Sequence, residues 1–140
     1  MDANSDYLEV VKELSELYNI EEMLSFNELN IQEKLSENAA KIWHFTELYN
    51  REKNAYDEIL ELKDKLVHRR YEYYKTKNNL LLKQNEIEKY YLPSDPEILK
   101  FNQIVRKQKW RVEFYQGLKS ALEKQQWAMH TFLQSMKVGL

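Results

Sequence analysis

Two glycines and two prolines in 140 residues leave this chain few places to turn, and the first of the four is Pro93. A sandwich or barrel needs turn signals roughly every 8–12 residues. Their absence argues against a sheet protein and for long helices. The length suits one domain with a modest core, not two independent ones. The expected fold class is all-α.

Apolar periodicity divides the chain into three parts. An acidic N-terminal arm, residues 1–37, opens with a short helix from about Asp6 to Tyr18. Asp6 is its expected N-cap, with Glu9 three positions on and Leu8, Val11, Leu14 and Leu17 at helical spacing. "NIEEMLSFNELNIQEKLSEN" is less regular and reads as a loop with short helical turns. From about Ser36 the pattern becomes sustained, and residues 38–92 read as one long helix. Ile42, Phe45, Tyr49, Tyr56, Ile59, Leu66, Tyr73, Leu80 and Ile87 hold heptad spacing, and Leu60, Val67, Tyr74 and Leu81 widen the stripe. Lys63, Arg70 and Lys77 interrupt one column of that seam, where a two-stranded contact wants aliphatic residues.

"YYLPSDPEIL" is the break. Pro93 and Pro96 each push the preceding residue away from helical dihedrals, and Asp95 as N-cap with Pro96 in the first helical position starts the next helix. Over residues 95–138, Ile98, Phe101, Val105, Val112, Tyr115, Leu122, Met129, Leu133 and Met136 follow a 3-4 spacing, with Gln108, Lys119 and Gln126 as exceptions. The short connection makes the two long helices an antiparallel hairpin. Trp110, Phe114, Leu118, Trp127 and Phe132 lie off the main stripe of the last helix. A second apolar face implies a second partner, and another copy of the chain is its simplest supply.

Charge is spread unevenly although the formal net is -2. Residues 1–37 hold 2 basic and 10 acidic side chains, residues 38–96 hold 11 and 10, and residues 97–140 hold 8 and 3. Local fields rather than the total govern binding. Within "KDKLVHRRYEYYKTK", Lys63 to Lys77, cations alternate with tyrosines. Such a run suits a solvated helix face paired with nearby carboxylates. It equally suits a sequence-neutral single-strand site, with cations for phosphates and rings for bases. "RKQKWR", Arg106 to Arg111, has the same makeup.

No motif points to catalysis. Gly117 and Gly139 are isolated, His44, His68 and His130 share no ligand spacing, and cysteine is absent, which removes disulfides and thiolate metal sites. The expectation is a non-enzyme without cofactor or metal. The longest aliphatic run, Leu80 to Leu82, is far short of a membrane span. The acidic opening "MDANSDYLEVVKEL" lacks the form of a signal peptide, so an intracellular setting is expected.

Three segments carry a resemblance: "LVHRRYEYY" (66–74), "ENAAKIWHFTELYNREK" before it, and the closing "FYQGLKSALEKQQWAMHTFLQSMK". Their order and spacing resemble the UvsY recombination mediator family of T-even-type bacteriophages over about residues 8–139. The resemblance implies a protein of the infected bacterial cytoplasm that binds single-stranded DNA without sequence preference. It would form a closed homo-oligomer, a ring of about six or seven subunits, and act in DNA recombination, repair and replication. Its role there would be to load a RecA-like recombinase onto DNA covered by single-strand-binding protein.

Carried onto this sequence, the implied DNA-binding set is Lys65, His68, Arg69, Arg70, Tyr73, Tyr74, Lys75 and Lys77. His68 stands where the family has a stronger cation, and the family's Gly-rich loop after the tyrosine pair is replaced by "KTKNNLLLKQNEIEKYYLP". Secondary DNA-binding candidates are Arg106, Lys107, Lys109 and Arg111. Trp110, Tyr115, Leu118, Leu122, Trp127, Met129 and Phe132 are the oligomerisation candidates. The competing expectation is a structural coiled-coil adaptor with no nucleic-acid role.

Overall fold

A computed structural model of the chain describes residues 3–77 and 82–138. Every regular element among them is helical: α1 (Ala3–Leu17), α2 (Ile20–Leu24), α3 (Ile31–Lys77), α4 (Gln84–Glu86) and α5 (Pro96–Val138). α4 runs on through a π turn, Ile87–Tyr91, and a 3-10 turn, Leu92–Ser94. Leu80 and Leu81, placed on the seam by periodicity, lie outside the described residues. So does the side chain of Lys77.

α3 and α5 form the expected antiparallel hairpin. Asn38 meets Leu122, Phe45 meets Tyr115, Glu52 meets Gln108 and Arg70 meets Asp95. The first three partners fall at heptad intervals on both helices, as two stripes of that period require. At 1.5 Å per residue, α3 is about 70 Å long.

Its start and end differ from the periodicity reading. α3 begins at Ile31 rather than near Ser36, because Ile31, Asn38 and Phe45 form one buried heptad column. Asn38 is the polar member, and its amide donates to the Leu122 carbonyl at 3.3 Å. The expected unbroken helix to residue 92 is corrected too. Lys83 has extended backbone (φ -80°, ψ 155°), and the turns that follow fold back so that Ile87 is fully buried and Tyr91 packs on Tyr74 at 5.3 Å between ring centroids. On a continuous helix those two residues would be about 25 Å apart. Beyond the turns, Asp95 caps α5 as expected: its Oδ1 accepts from the Ile98 N–H at 3.0 Å, and its carbonyl from the Leu99 N–H.

α1 is rotated relative to its apparent apolar stripe. The helix starts at Ala3, so Asp6 lies inside it and is not the N-cap. Asp6, Val10 and Leu14 are buried, while Leu8, Val11 and Leu17 face out. The reason lies on α5. Val10 and Leu14 join Tyr115, Leu118 and Leu122 in the core, flanked by Trp110 and Phe114, and turning that way brings Asp6 to Arg106.

Helix α2 and the turn after it continue the cover. The Gln125 amide donates to the Met23 carbonyl at 3.1 Å, and Phe26 meets Phe132 edge-on. The second apolar face of α5 is thus covered in large part by the chain's own N-terminal arm. One end of the hairpin is a three-helix bundle; toward the other, the turns of residues 84–94 pack against α3 and α5 on one side, and a groove between the two helices stays open on another.

Gly117 sits in the middle of α5, exposed, and a Cβ there would meet nothing within 4 Å. Gly117→Ala is therefore expected to raise the unfolding free energy by about 1 kcal/mol, read as a higher urea midpoint at unchanged slope. No helix among the described residues is long and apolar enough to cross a membrane.

Candidate nucleic-acid interface

On α3, residues spaced by three and four share a face. Lys65, His68, Arg69, Glu72 and Lys75 lie along the outward side of α3, and all but Glu72 are exposed. Among the described residues Lys65, Arg69 and Lys75 make no ion pair. Lys65 and Arg69 border a groove toward α5, which Lys100 also lines. His68 borders the opposite groove with Tyr71, Gln84 and Glu88. Lys100 belongs to this cationic surface although the sequence reading passed over it. Its signal is positional: it stands one turn after the Asp95 cap, at the end of α5 that an antiparallel hairpin brings beside residues 65–70.

Arg70 is held differently. It occupies the seam column and is half-buried; its Nε donates to Asp95 Oδ2 at 2.8 Å, and Nη1 lies 3.7 Å from Glu97. The Tyr74 hydroxyl donates to the same Asp95 oxygen at 2.6 Å. The guanidinium lies over the Tyr73 ring, 4.2 Å from its centroid, a cation–π contact. A cation in an apolar column is accounted for: it clasps α3 to the cap of α5. Arg70 and Tyr74 face inward to this clasp, and one face of the exposed Tyr73 ring is covered by Arg70.

Ionisation strengthens the clasp. Burial alone would raise the Asp95 carboxyl, but the hydrogen bonds from Tyr74, the Ile98 N–H and Arg70 outweigh it and hold the group below its usual 3.8. The Tyr74 hydroxyl is pushed above 10.0, first by its bond to Asp95 and then by burial. Asp95's contribution to stability is therefore complete above the unfolded value of 3.8 and is lost as pH falls through the lower folded one. Tyr74's is complete below 10.0 and is lost as pH rises through its raised folded value. Urea midpoints measured from pH 2 to pH 7 should fall at the acid end, and fall less in Asp95→Asn, which has no carboxyl to protonate there.

The second basic group is largely engaged by α1. Arg106 pairs with the buried Asp6 at 3.3 Å, Lys107 with Glu9 at 3.1 Å, and Arg111 with Glu13. Lys109 is exposed. The two basic groups lie at successive levels of the hairpin. The first stands on α3 beyond the reach of α1, and the second under the acidic arm.

Of the oligomerisation candidates, Tyr115, Leu118, Leu122 and Met129 are buried within the chain. Trp110 packs edge-on against Tyr7, and Phe132 against Phe26. Trp127, 77% exposed, is the member that faces solvent. Trp43 on α3 is also exposed, at 67%. Among the described residues no group of three His, Asp or Glu side chains is placed to hold a metal ion.

Comparison of the chain with models of known protein families, with curated proteins and with solved structures finds no match.

Proposed function

We propose that this chain binds single-stranded DNA without sequence preference and acts as a recombination mediator, promoting the loading of a RecA-like recombinase onto DNA covered by single-strand-binding protein. The observation that carries the reading is the row of Lys65, Arg69 and Lys75, three exposed cations on one helix face that make no ion pair among the described residues, with the Tyr73 ring at its edge. Cations spaced by one or two turns track a phosphate backbone, and such contacts carry no sequence information. Arg70 and Tyr74 act as positioning residues in this reading, holding the row against α5. No bond chemistry is involved.

Three cations bind a strand weakly. Repetition in a closed homo-oligomer of the hexamer or heptamer size makes later contacts effectively intramolecular. Trp127 is the apolar side chain through which copies would meet. A strand constrained along such a ring releases its single-strand-binding protein, and the recombinase nucleates in the gap.

The test uses DNA-dependent ATP hydrolysis by a RecA-like recombinase on single strands already covered by single-strand-binding protein. The purified chain should shorten the lag before hydrolysis, and Lys65→Ala/Arg69→Ala/Lys75→Ala should not. An undiminished lag with the wild-type chain ends the mediator reading.

A second reading, a coiled-coil adaptor without nucleic-acid role, is favoured by a specific observation. Arg70, Arg106, Lys107 and Arg111 are ion-paired within the chain, while Trp43 and Trp127 are open to a protein partner. An adaptor binds neither single strands nor duplex at moderate salt.

A further inference from the structure

Helix α1 is a built-in instance of how this hairpin receives another helix. It sets Val10 and Leu14 into the core, one turn apart, while Asp6, Glu9 and Glu13 pair with Arg106, Lys107 and Arg111 of α5. Apolar anchors go to the floor with Asp6 beside them, and Glu9 and Glu13 go to a cationic rim.

The same chemistry recurs toward the other end of the hairpin, on a side of the α3–α5 pair that neither α1 nor the turns of residues 84–94 line. Leu62, Leu66, Phe101 and Ile104 make an apolar floor, rimmed by Lys65, Arg69 and Lys100. Glu97 is the carboxylate among the lining residues, and it lies toward Arg70 at 3.7 Å. Leu62 is 53% exposed and Ile104 49%. Aliphatic side chains half open to water, between cations that make no ion pair among the described residues, form a surface that gains from being covered.

We propose that this groove docks an acidic amphipathic helix of a partner protein, with two apolar side chains one turn apart on the floor and carboxylates on the rim cations. Helix-in-groove recognition of this kind reads anchors at i and i+4. The floor favours a helix over a strand of DNA, because bases stack on aromatic faces and three of the four floor residues are aliphatic. The inference goes beyond the nucleic-acid reading and shares Lys65 and Arg69 with it. Docked helix and bound strand therefore exclude each other.

The test is a titration of the full chain, without DNA, into a fluorescein-labelled peptide with the α1 sequence, ANSDYLEVVKELSEL. Saturable binding is expected, weakened at least tenfold by Ile104→Asp and by Lys100→Glu and unchanged by Lys107→Glu. A peptide with every Glu replaced by Lys should not bind. Circular dichroism checks the fold; if Ile104→Asp unfolds the chain, Lys100→Glu decides.

Four results overturn the proposal. One is no saturable binding. Another is loss through Lys107→Glu alone, which means displacement of the chain's own α1. The third is a lower mass of Ile104→Asp than of the wild type by light scattering, which makes the occupant a second copy. The last is an Ile104→Asp effect on oligothymidylate but not on the peptide, which makes the groove a strand site. A chain that binds the peptide and ignores oligothymidylate ends the nucleic-acid reading alone.

Discussion

Asp95→Ala should lower the unfolding free energy by about 3 kcal/mol, a large fraction of what a domain of this size has. Three losses coincide. α5 loses its N-cap, where the Asp95 carboxylate accepts from Ile98, worth about 1 kcal/mol. The Tyr74 hydroxyl loses its acceptor and the half-buried Arg70 its nearest counter-charge. Removing one partner of a partly buried ion pair costs more than the pair contributes net, because the survivor stays partly desolvated, with Glu97 its remaining counter-charge.

Two further variants separate these effects. Asp95→Asn keeps a capping oxygen and should cost about half as much. Arg70→Leu/Asp95→Asn should recover stability relative to the sum of its single variants, since no uncompensated charge remains. Urea unfolding by circular dichroism, with Arg70→Leu included to close the cycle, gives each free energy. Asp95→Ala within 1 kcal/mol of wild type would mean that the clasp does not hold in solution.

The second large effect concerns binding. Lys65→Ala/Arg69→Ala/Lys75→Ala removes three exposed cations that make no ion pair among the described residues, so stability should stay within about 0.5 kcal/mol. Affinity for a fluorescein-labelled oligothymidylate in dilute buffer should fall by roughly 10- to 100-fold, since each lost phosphate contact returns a condensed counterion to the strand. Lys107→Ala/Arg111→Ala is the contrast. These cations already face Glu9 and Glu13, so removing them should change binding little while loosening α1. A loss from Lys107→Ala/Arg111→Ala, with none from the first variant, would move the site to the middle of α5.

Local signals carried most of the architecture. Turn residues are confined to the far side of residue 92, and the Asp95–Pro96 pair marks a helix start that needs no tertiary information, which is why the hairpin and its cap were legible. Misreadings occurred where a polar residue serves the core. Asn38 breaks the apolar count between Ile31 and Phe45, so the start of α3 looked later than it is. Asp6 is buried against Arg106, and a helix whose inner face includes a carboxylate shows the wrong stripe when only apolar residues are counted.

Arg70 was visible as an anomaly in its seam column, and Asp95 as a cap. Their pairing spans 25 residues and is a tertiary fact that no local pattern contains. The acidic arm and the Arg106–Arg111 group were likewise legible as charges, while their mutual neutralisation was not. Covering α5 with the chain's own α1 leaves fewer apolar residues for self-association than periodicity suggested, with Trp127 the exposed member of that set.

The most direct test of the central claim is the salt dependence of oligothymidylate binding, measured by anisotropy from about 50 to 300 mM sodium chloride for the wild type and for the variant lacking Lys65, Arg69 and Lys75. The account predicts a steep linear fall of log affinity with log salt for the wild type. It predicts a slope shallower by about 2 for the variant, three phosphate contacts at about 0.7 each on a single strand. Identical slopes for the two proteins, or no measurable binding by the wild type at the lowest salt, would contradict it.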